Sequence, residues 1–271
     1  AFGGSMRILC SGAAPLSNAT AEFYAARGLH LVQGYGLSEA SPVISMSNST
    51  AYRRGSVGRV IPGIEIRIAD DGEILTRGPH VMLGYWKDPT ATSAVLRDSW
   101  LHTGDTGHID SDGYLFITGR KKEIIVTAGG TNIAPSGIES LLTDDPLIAQ
   151  AVVFGEGQKY LVALIVPQVE LLQQVLRNVP PPSDILPETI AALSHDLQAR
   201  EAVLKHPAVI EVFRQRIESR LASRSQHEQI VRFSLLSAPF SVESGELTTS
   251  LKLRRSVIEA NHRQRILDLY R

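Results

Sequence analysis

Two Asp-Gly pairs, Asp71-Gly72 and Asp112-Gly113, each interrupt a stretch in which apolar and polar residues alternate. In the first, Ile64, Ile66 and Ile68 alternate before the pair and Ile74 resumes after it. A period of two places successive side chains on opposite faces of a strand. Asp-Gly supplies a turn residue that enters the left-handed region at no steric cost. The stretches "IEIRIADDGEILTRG" and "HIDSDGYLFITG" are therefore predicted hairpins. Several short strands with turn signals over residues 58–118 predict a β-rich, barrel-like subdomain.

The pattern differs on either side. Upstream, "MRILCSG" reads as a short buried strand, residues 18–28 as a helix stopped by Gly28, and "LHLVQGYG" as a second strand running into a glycine turn. Strand, helix, strand in that order predicts part of a parallel α/β sheet. Cys10, inside the apolar strand, is expected in the core. Downstream, "EIIVTAGG" reads as strand then turn, "APSGIESLLTD" opens a helix, and "AQAVVFGEGQKYLVALIVP" is a hairpin. The run "YLVALIVP" is far shorter than the roughly 20 residues of a membrane-spanning helix and reads as a buried strand. The proline-rich "PPPSDILPE" predicts an exposed connection. Val209, Val212, Phe213, Ile217 and Leu221 share one helical face, so residues 208–224 are a predicted amphipathic helix. A strand in "VRFSLLSAPF" and a helix over residues 256–270 close the chain.

The expected organisation is the end of a large α/β domain with its barrel-like subdomain over residues 1–118. A hinge over 119–123 and a small, mobile α+β domain over 124–271 follow.

Composition sets outer limits. The chain has 271 residues, 43% of them apolar and 20% charged, enough for two globular domains. A net charge of −1 offers no basic face, so no nucleic-acid partner is expected. One cysteine excludes an internal disulfide and agrees with a reducing, cytoplasmic setting. The opening "AFGGSMRILCSG" lacks an initiator methionine and a signal-peptide pattern. It is read as an internal start, which makes the chain the C-terminal part of a longer protein. No G-x-x-x-x-G-K-[ST] phosphate loop, H-E-x-x-H or C-x-x-C occurs, so zinc and thiol chemistry are not expected.

Five segments, in chain order, carry a resemblance. They are "CSGAAPLS", "QGYGLSEASP", "GPHVMLGYWKDPTAT", "SWLHTGDTGHIDSDGYLFITGRKKEIIVTAGGTNIAPSGIES" and "ESGELTTSLKLRR". Together they make the chain resemble the AMP-forming acyl-CoA synthetases of the adenylate-forming superfamily. "ELTTSLKLRR" and the closing "ILDLY" resemble the long-chain fatty acyl branch. The resemblance implies a ligase that uses ATP with Mg2+ to convert a fatty acid to acyl-adenylate and pyrophosphate. Coenzyme A then displaces AMP. Peripheral contact with the inner face of a membrane stays open.

The same resemblance implies residue roles. Asp105 would hold the ribose, two carboxylate oxygens suiting two hydroxyls, with Arg120 assisting from the far end of the hairpin. In isolation, Asp105 reads equally as the acid of a turn. Tyr35 would stack on adenine, with Gly12, Ala13 and Ala14 making room beside the base. Gly36 would belong to the ATP/AMP-binding residues, and Ser38 would contact phosphate, although threonine is usual where Ser38 stands. Glu39 would meet Mg2+ on the phosphates. Lys252 would be the catalytic lysine that bridges substrate carboxylate and α-phosphate; Arg254 and Arg255 beside it also fit a solvated basic turn. Lys122 would be the hinge, and Gly129 and Gly130 would line the coenzyme A passage. The family usually has glutamate where Gly137 stands, while Glu139 is retained. The family's phosphate loop would lie upstream of residue 1, so this segment alone is expected to be inactive. Alternatives are a fatty acyl-AMP ligase and a noncatalytic nucleotide-binding fragment.

Overall fold

A computed structural model describes residues 4–12, 16, 18–48, 52–178 and 187–271. The chain divides into two compact units, Ala1–Ile124 and Ile125–Arg271.

The first unit opens with β1 (Ile8–Ser11), α1 (Asn18–Ala25) and β2 (His30–Gly36). The strands run parallel, with Cys10 opposite Val32, and Gly28 takes φ +71° just beyond the helix. The sheet continues antiparallel through β3 (Val43–Met46) to β4 (Arg59–Val60). β1 is its outer strand. Cys10 is exposed among the described residues, where its apolar neighbours suggest the core.

The second sheet holds both Asp-Gly hairpins. β5 (Glu65–Ile68) pairs with β6 (Glu73–Arg77), and β8 (Trp100–Ile109) pairs with β9 (Leu115–Arg120). The loops 70–72 and 111–113 close in the same way. Ala69 N–H donates to the Glu73 carbonyl at 2.9 Å and Asp110 N–H to the Tyr114 carbonyl at 3.0 Å. Gly72 and Gly113 both adopt φ +82°, a value glycine tolerates best. After α2 (Pro89–Val95), the two-residue β7 (Leu96–Arg97) also joins β8, giving the order β5-β6-β8-β7 with β9 on β8. The β-rich subdomain is thus present as an open sheet, not a closed barrel. Ile74, Leu115 and Val57 form one small core and Ala40, Ile44 and Leu101 another, and Tyr35 packs against both.

The second unit begins with the short hairpin β10 (Ile125–Val126) and β11 (Asn132–Ile133), then α3 (Pro135–Thr143). Its sheet contains β12 (Ile148–Phe154), β13 (Leu161–Pro167) and β14 (Ile230–Leu235). β13 lies between an antiparallel β12 and a parallel β14. Leu161, Ala163 and Ile165 join a core with Ile138, Leu142 and Phe213. Val162, Leu164 and Val166 join a second with Phe240, Ile258 and Ile266. Both faces are covered, which is why this strand reads as an unbroken apolar run. Between β13 and β14 come α4 (Val169–Asn178), α5 (Pro187–Ala192), α6 (Leu197–Leu204) and α7 (Pro207–Leu221). Val209, Phe213, Ile217 and Leu221 of α7 are buried. Most of "PPPSDILPE", residues 180–186, lies outside the described residues. The helix expected over 256–270 is two, α8 (Arg255–Asn261) and α9 (Arg263–Asp268). They part at His262, whose Nε2 lies 3.1 Å from Glu246 Oε1. Among the described residues no helix is long and apolar enough to cross a membrane.

Candidate nucleotide site

The antiparallel register of β8 and β9 sets Asp105 opposite Arg120. Arg120 Nε lies 3.0 Å from Asp105 Oδ1. β2 brings Tyr35 to the same acid, its hydroxyl donating to Asp105 Oδ2 at 2.8 Å. Burial, and then the charge of Asp105, push the Tyr35 hydroxyl well above its ordinary pKa, so it remains a donor. Asp105 is 6% exposed, whereas the Arg120 side chain is 56% exposed. A buried, oriented acid therefore stands beside an accessible cation.

The backbone holds the acid in place. Asp105 N–H donates to Thr103 Oγ1 at 3.1 Å, and the Thr103 hydroxyl donates to the Ile74 carbonyl at 2.7 Å. Gly104 adopts φ +72° between them. Its N–H donates to Glu73 Oε1 at 3.0 Å. Glu73 is buried and also accepts from Lys121 Nζ at 3.0 Å, with His102 Nδ1 at 3.2 Å. Burial pushes the Glu73 carboxyl upward, but its bonds to Lys121, His102 and Gly104 outweigh that and leave it below the usual range. One carboxylate thus ties the turn before Asp105 to the residue after Arg120. Sequence reading missed Glu73, Thr103 and Lys121. An acid directly after an Asp-Gly turn looks solvated until the fold covers it.

The loop after β2 turns sharply. A Cβ on Gly36 would overlap the Pro42 carbonyl, so only glycine permits this return. Ser38 is exposed at the start of the 3-10 turn Ser38–Ala40. Glu39 Oε1 accepts from the Tyr85 hydroxyl at 2.8 Å, and Tyr85 N–H donates to Thr92 Oγ1 at 2.9 Å. The bond to Glu39 raises the Tyr85 pKa. Tyr85 is a second partner that sequence reading left without a role. Gly12 follows β1, where a Cβ would meet the Gly34 carbonyl at 3.5 Å. Ala13 and Ala14 lie outside the described residues. Lys122 is exposed in the 3-10 turn Lys121–Glu123 that follows β9.

The remaining candidates belong to the second unit. Gly129 and Gly130 are exposed on the turn of the β10–β11 hairpin. Gly130 N–H donates to the Thr127 carbonyl at 2.8 Å, and Gly130 adopts φ +77°. Gly129 has a negative φ and room for a Cβ, with only Thr127 Oγ1 nearby at 3.9 Å. Packing within the unit does not demand glycine there. Lys252 is exposed at the end of a tight turn. Thr248 N–H donates to the Lys252 carbonyl at 2.9 Å, and Lys252 N–H donates to Thr248 Oγ1 at 3.0 Å. Arg255 is not part of a solvated basic turn. It is half-buried and paired with Glu139, Nη2 to Oε1 at 2.7 Å.

The chain is similar to known proteins in sequence and in fold. A family model described as AMP-binding enzyme matches residues 1–86, and one described as AMP-binding enzyme C-terminal domain matches residues 122–181. The long-chain-fatty-acid–CoA ligase FadD15 of Mycobacterium bovis is 40% identical over 259 residues, which cover 95% of this chain and 41% of that protein. The long-chain-fatty-acid–CoA ligase ACSBG1 of Bos taurus is 33% identical over 276 residues, covering 96% of this chain and 37% of that protein. The chain thus spans less than half the length of either relative. In fold it is similar to the adenylation domain of a carboxylate reductase from Mycobacterium chelonae, with a TM-score of 0.72 at 24% identity over 96% of this chain and 38% of that one. The o-succinylbenzoate CoA synthetase of Bacillus subtilis, solved with its acyl-adenylate intermediate, gives a TM-score of 0.70 at 24% identity over 94% of this chain and 46% of that one. On the two family models and relatives matched along nearly its whole length, the chain belongs to the family of AMP-binding enzymes.

Proposed function

We propose that the chain is the C-terminal portion of a long-chain fatty acid–CoA ligase, which joins a fatty acid to coenzyme A through an acyl-adenylate. The observation that carries this reading is the convergence of Tyr35 and Arg120 on the buried Asp105. A carboxylate oriented by two donors keeps further acceptor capacity on both oxygens, which suits the paired hydroxyls of a ribose. The accessible guanidinium of Arg120 suits the same sugar. Relatives named for this activity support the choice of substrate.

The other roles follow from it. Ser38 offers a hydroxyl donor to phosphate. Glu39 is half-buried and aimed by Tyr85, and among the described residues no group of three His, Cys, Asp or Glu is placed to hold a metal. One carboxylate fits a magnesium ion whose remaining ligands are water and substrate phosphates. Bound there, Mg2+ would neutralise phosphate charge. Lys252 is the catalytic lysine, its ammonium stabilising charge that builds at the α-phosphate. Gly129 and Gly130 leave room for the thin arm of coenzyme A. Lys122 is the hinge between an AMP-binding portion over residues 1–118 and a C-terminal domain over residues 124–271.

The test uses a parent enzyme of the relatives' length that carries this segment. Fatty-acid-dependent pyrophosphate release is measured, followed by AMP release on addition of coenzyme A. Both are expected from the parent and neither from the segment alone. Pyrophosphate release with no response to coenzyme A would favour a fatty acyl-AMP ligase. Nucleotide binding with no pyrophosphate release would leave a noncatalytic nucleotide-binding protein.

A further inference from the structure

The basic run Lys252-Leu253-Arg254-Arg255 does not share one environment. Lys252 and Arg254 are exposed, whereas the Arg255 side chain is 19% exposed and turned inward. Its Nη2 donates to both oxygens of Glu139, at 2.7 and 3.0 Å. Its Nη1 donates to the Val153 carbonyl at 2.7 Å. Glu139 Oε1 accepts from Val153 N–H at 2.8 Å. Val153 lies on β12, the outer strand of its sheet. The ion pair therefore satisfies both backbone groups of one edge residue, the service a neighbouring strand would give.

Arg255 also sits at the foot of the Lys252 turn. A bridge between Leu247 and Leu253 closes that turn, and Leu251 adopts φ +60° within it. Arg254 N–H donates to the Glu246 carbonyl at 2.8 Å. The Glu246 side chain is itself buried, accepting from Ser244 Oγ at 2.7 Å and Asn261 Nδ2 at 3.0 Å. The turn is thus short, closed by its own bonds, and fastened where it meets α3 and β12.

We propose that the Glu139–Arg255 pair is a positioning clamp for Lys252, fixing the turn 248–252 on α3 and β12 so that the ammonium is presented in one place. This rests on the reading of Lys252 as the catalytic lysine of adenylate formation. A planar guanidinium reaches two carboxylate oxygens and a carbonyl at once, which a lysine ammonium on a flexible stem does not. Arg255 and Glu139 act through Lys252 and do not touch substrate.

The test compares Arg255→Lys, Glu139→Gln, Lys252→Ala and the double variant Arg255→Lys/Lys252→Ala in the parent, with each half-reaction assayed separately. Arg255→Lys and Glu139→Gln should each slow adenylation by roughly tenfold to a hundredfold, the scale of a misplaced catalytic group. KM for ATP and fatty acid and the conversion of preformed acyl-adenylate to thioester should not change. Amide hydrogen exchange over 248–253 should speed up, while β13 keeps its protection. The double variant should adenylate no more slowly than Lys252→Ala alone, because the clamp has no other route to the chemistry. Additive losses, or equal losses in both half-reactions, would overturn the clamp. If Glu139→Gln loses protection in β13, Arg255→Lys decides alone. A parent in which Lys252→Ala adenylates normally contradicts the functional reading instead, while the exchange rate over 248–253 still reports whether the pair fastens the turn.

Discussion

Asp105 and Arg120 face each other across β8 and β9, and their side chains meet at 3.0 Å beside the hydroxyl of Tyr35. The hairpin therefore does more than connect two strands. Its register determines which acid meets which cation: the turn at its tip pairs Ile109, His108 and Gly107 with Leu115, Phe116 and Ile117, and a one-residue shift between Thr106 and Gly107 then brings Asp105 opposite Arg120.

Removing the acid tests whether this geometry serves a nucleotide. Asp105→Ala in the parent should weaken ATP by roughly 2 kcal/mol, the scale of a hydrogen bond to a charged group, with fatty acid affinity unchanged. Isothermal titration with ATP measures it. An unchanged affinity would return Asp105 to the role of a turn former.

Glu73 makes the scaffold sensitive to acid. Its folded pKa lies below the ordinary 4.5 because Lys121, His102 and Gly104 outweigh its burial. A depressed folded value means the stabilisation is fully present above the unfolded pKa and is lost as pH falls through the folded one. Melting curves of the parent and of Glu73→Gln should therefore differ most above the ordinary carboxylate pKa and converge as pH falls through the lowered folded value. A gap that widens on acidification would show that the bonds to Glu73 do not hold its charged form.

Lys122 tests the hinge. Proline locks φ near about −65°, and a hinge must change its backbone angles between two discrete states. Lys122→Pro in the parent should spare adenylation and slow thioester formation from preformed adenylate by a much larger factor. Conversion of preformed adenylate at the wild-type rate would make Lys122 an ordinary surface lysine.

The parts legible in the sequence were those fixed by local chemistry. Alternation and Asp-Gly turns gave both hairpins, and five apolar positions at helical spacing gave α7. What escaped depended on what packs against a residue from far along the chain. Cys10 carries every mark of a core strand, yet it is exposed among the described residues. Residues 256–270 contain no glycine or proline, so nothing local announced the break at His262, which is tied to Glu246. Arg255 sat unread in a basic run because its partner, Glu139, lies on a helix that precedes the whole sheet. The resemblance named Asp105, Arg120 and Tyr35, and the fold brings the three side chains together. Glu73, Thr103 and Tyr85 were not legible, because each acts through a contact that only the fold creates.

If Lys252 is the lysine of adenylate formation and separate residues serve the thioester step, its removal must affect the two half-reactions unequally. The measurement that tests it most directly is the Lys252→Ala variant of the parent, followed in both half-reactions with a long-chain fatty acid. A severe loss of fatty-acid-dependent pyrophosphate release is expected, with conversion of preformed acyl-adenylate and coenzyme A to thioester close to the wild-type rate. Equal loss in both half-reactions, or adenylation at the wild-type rate, would contradict it.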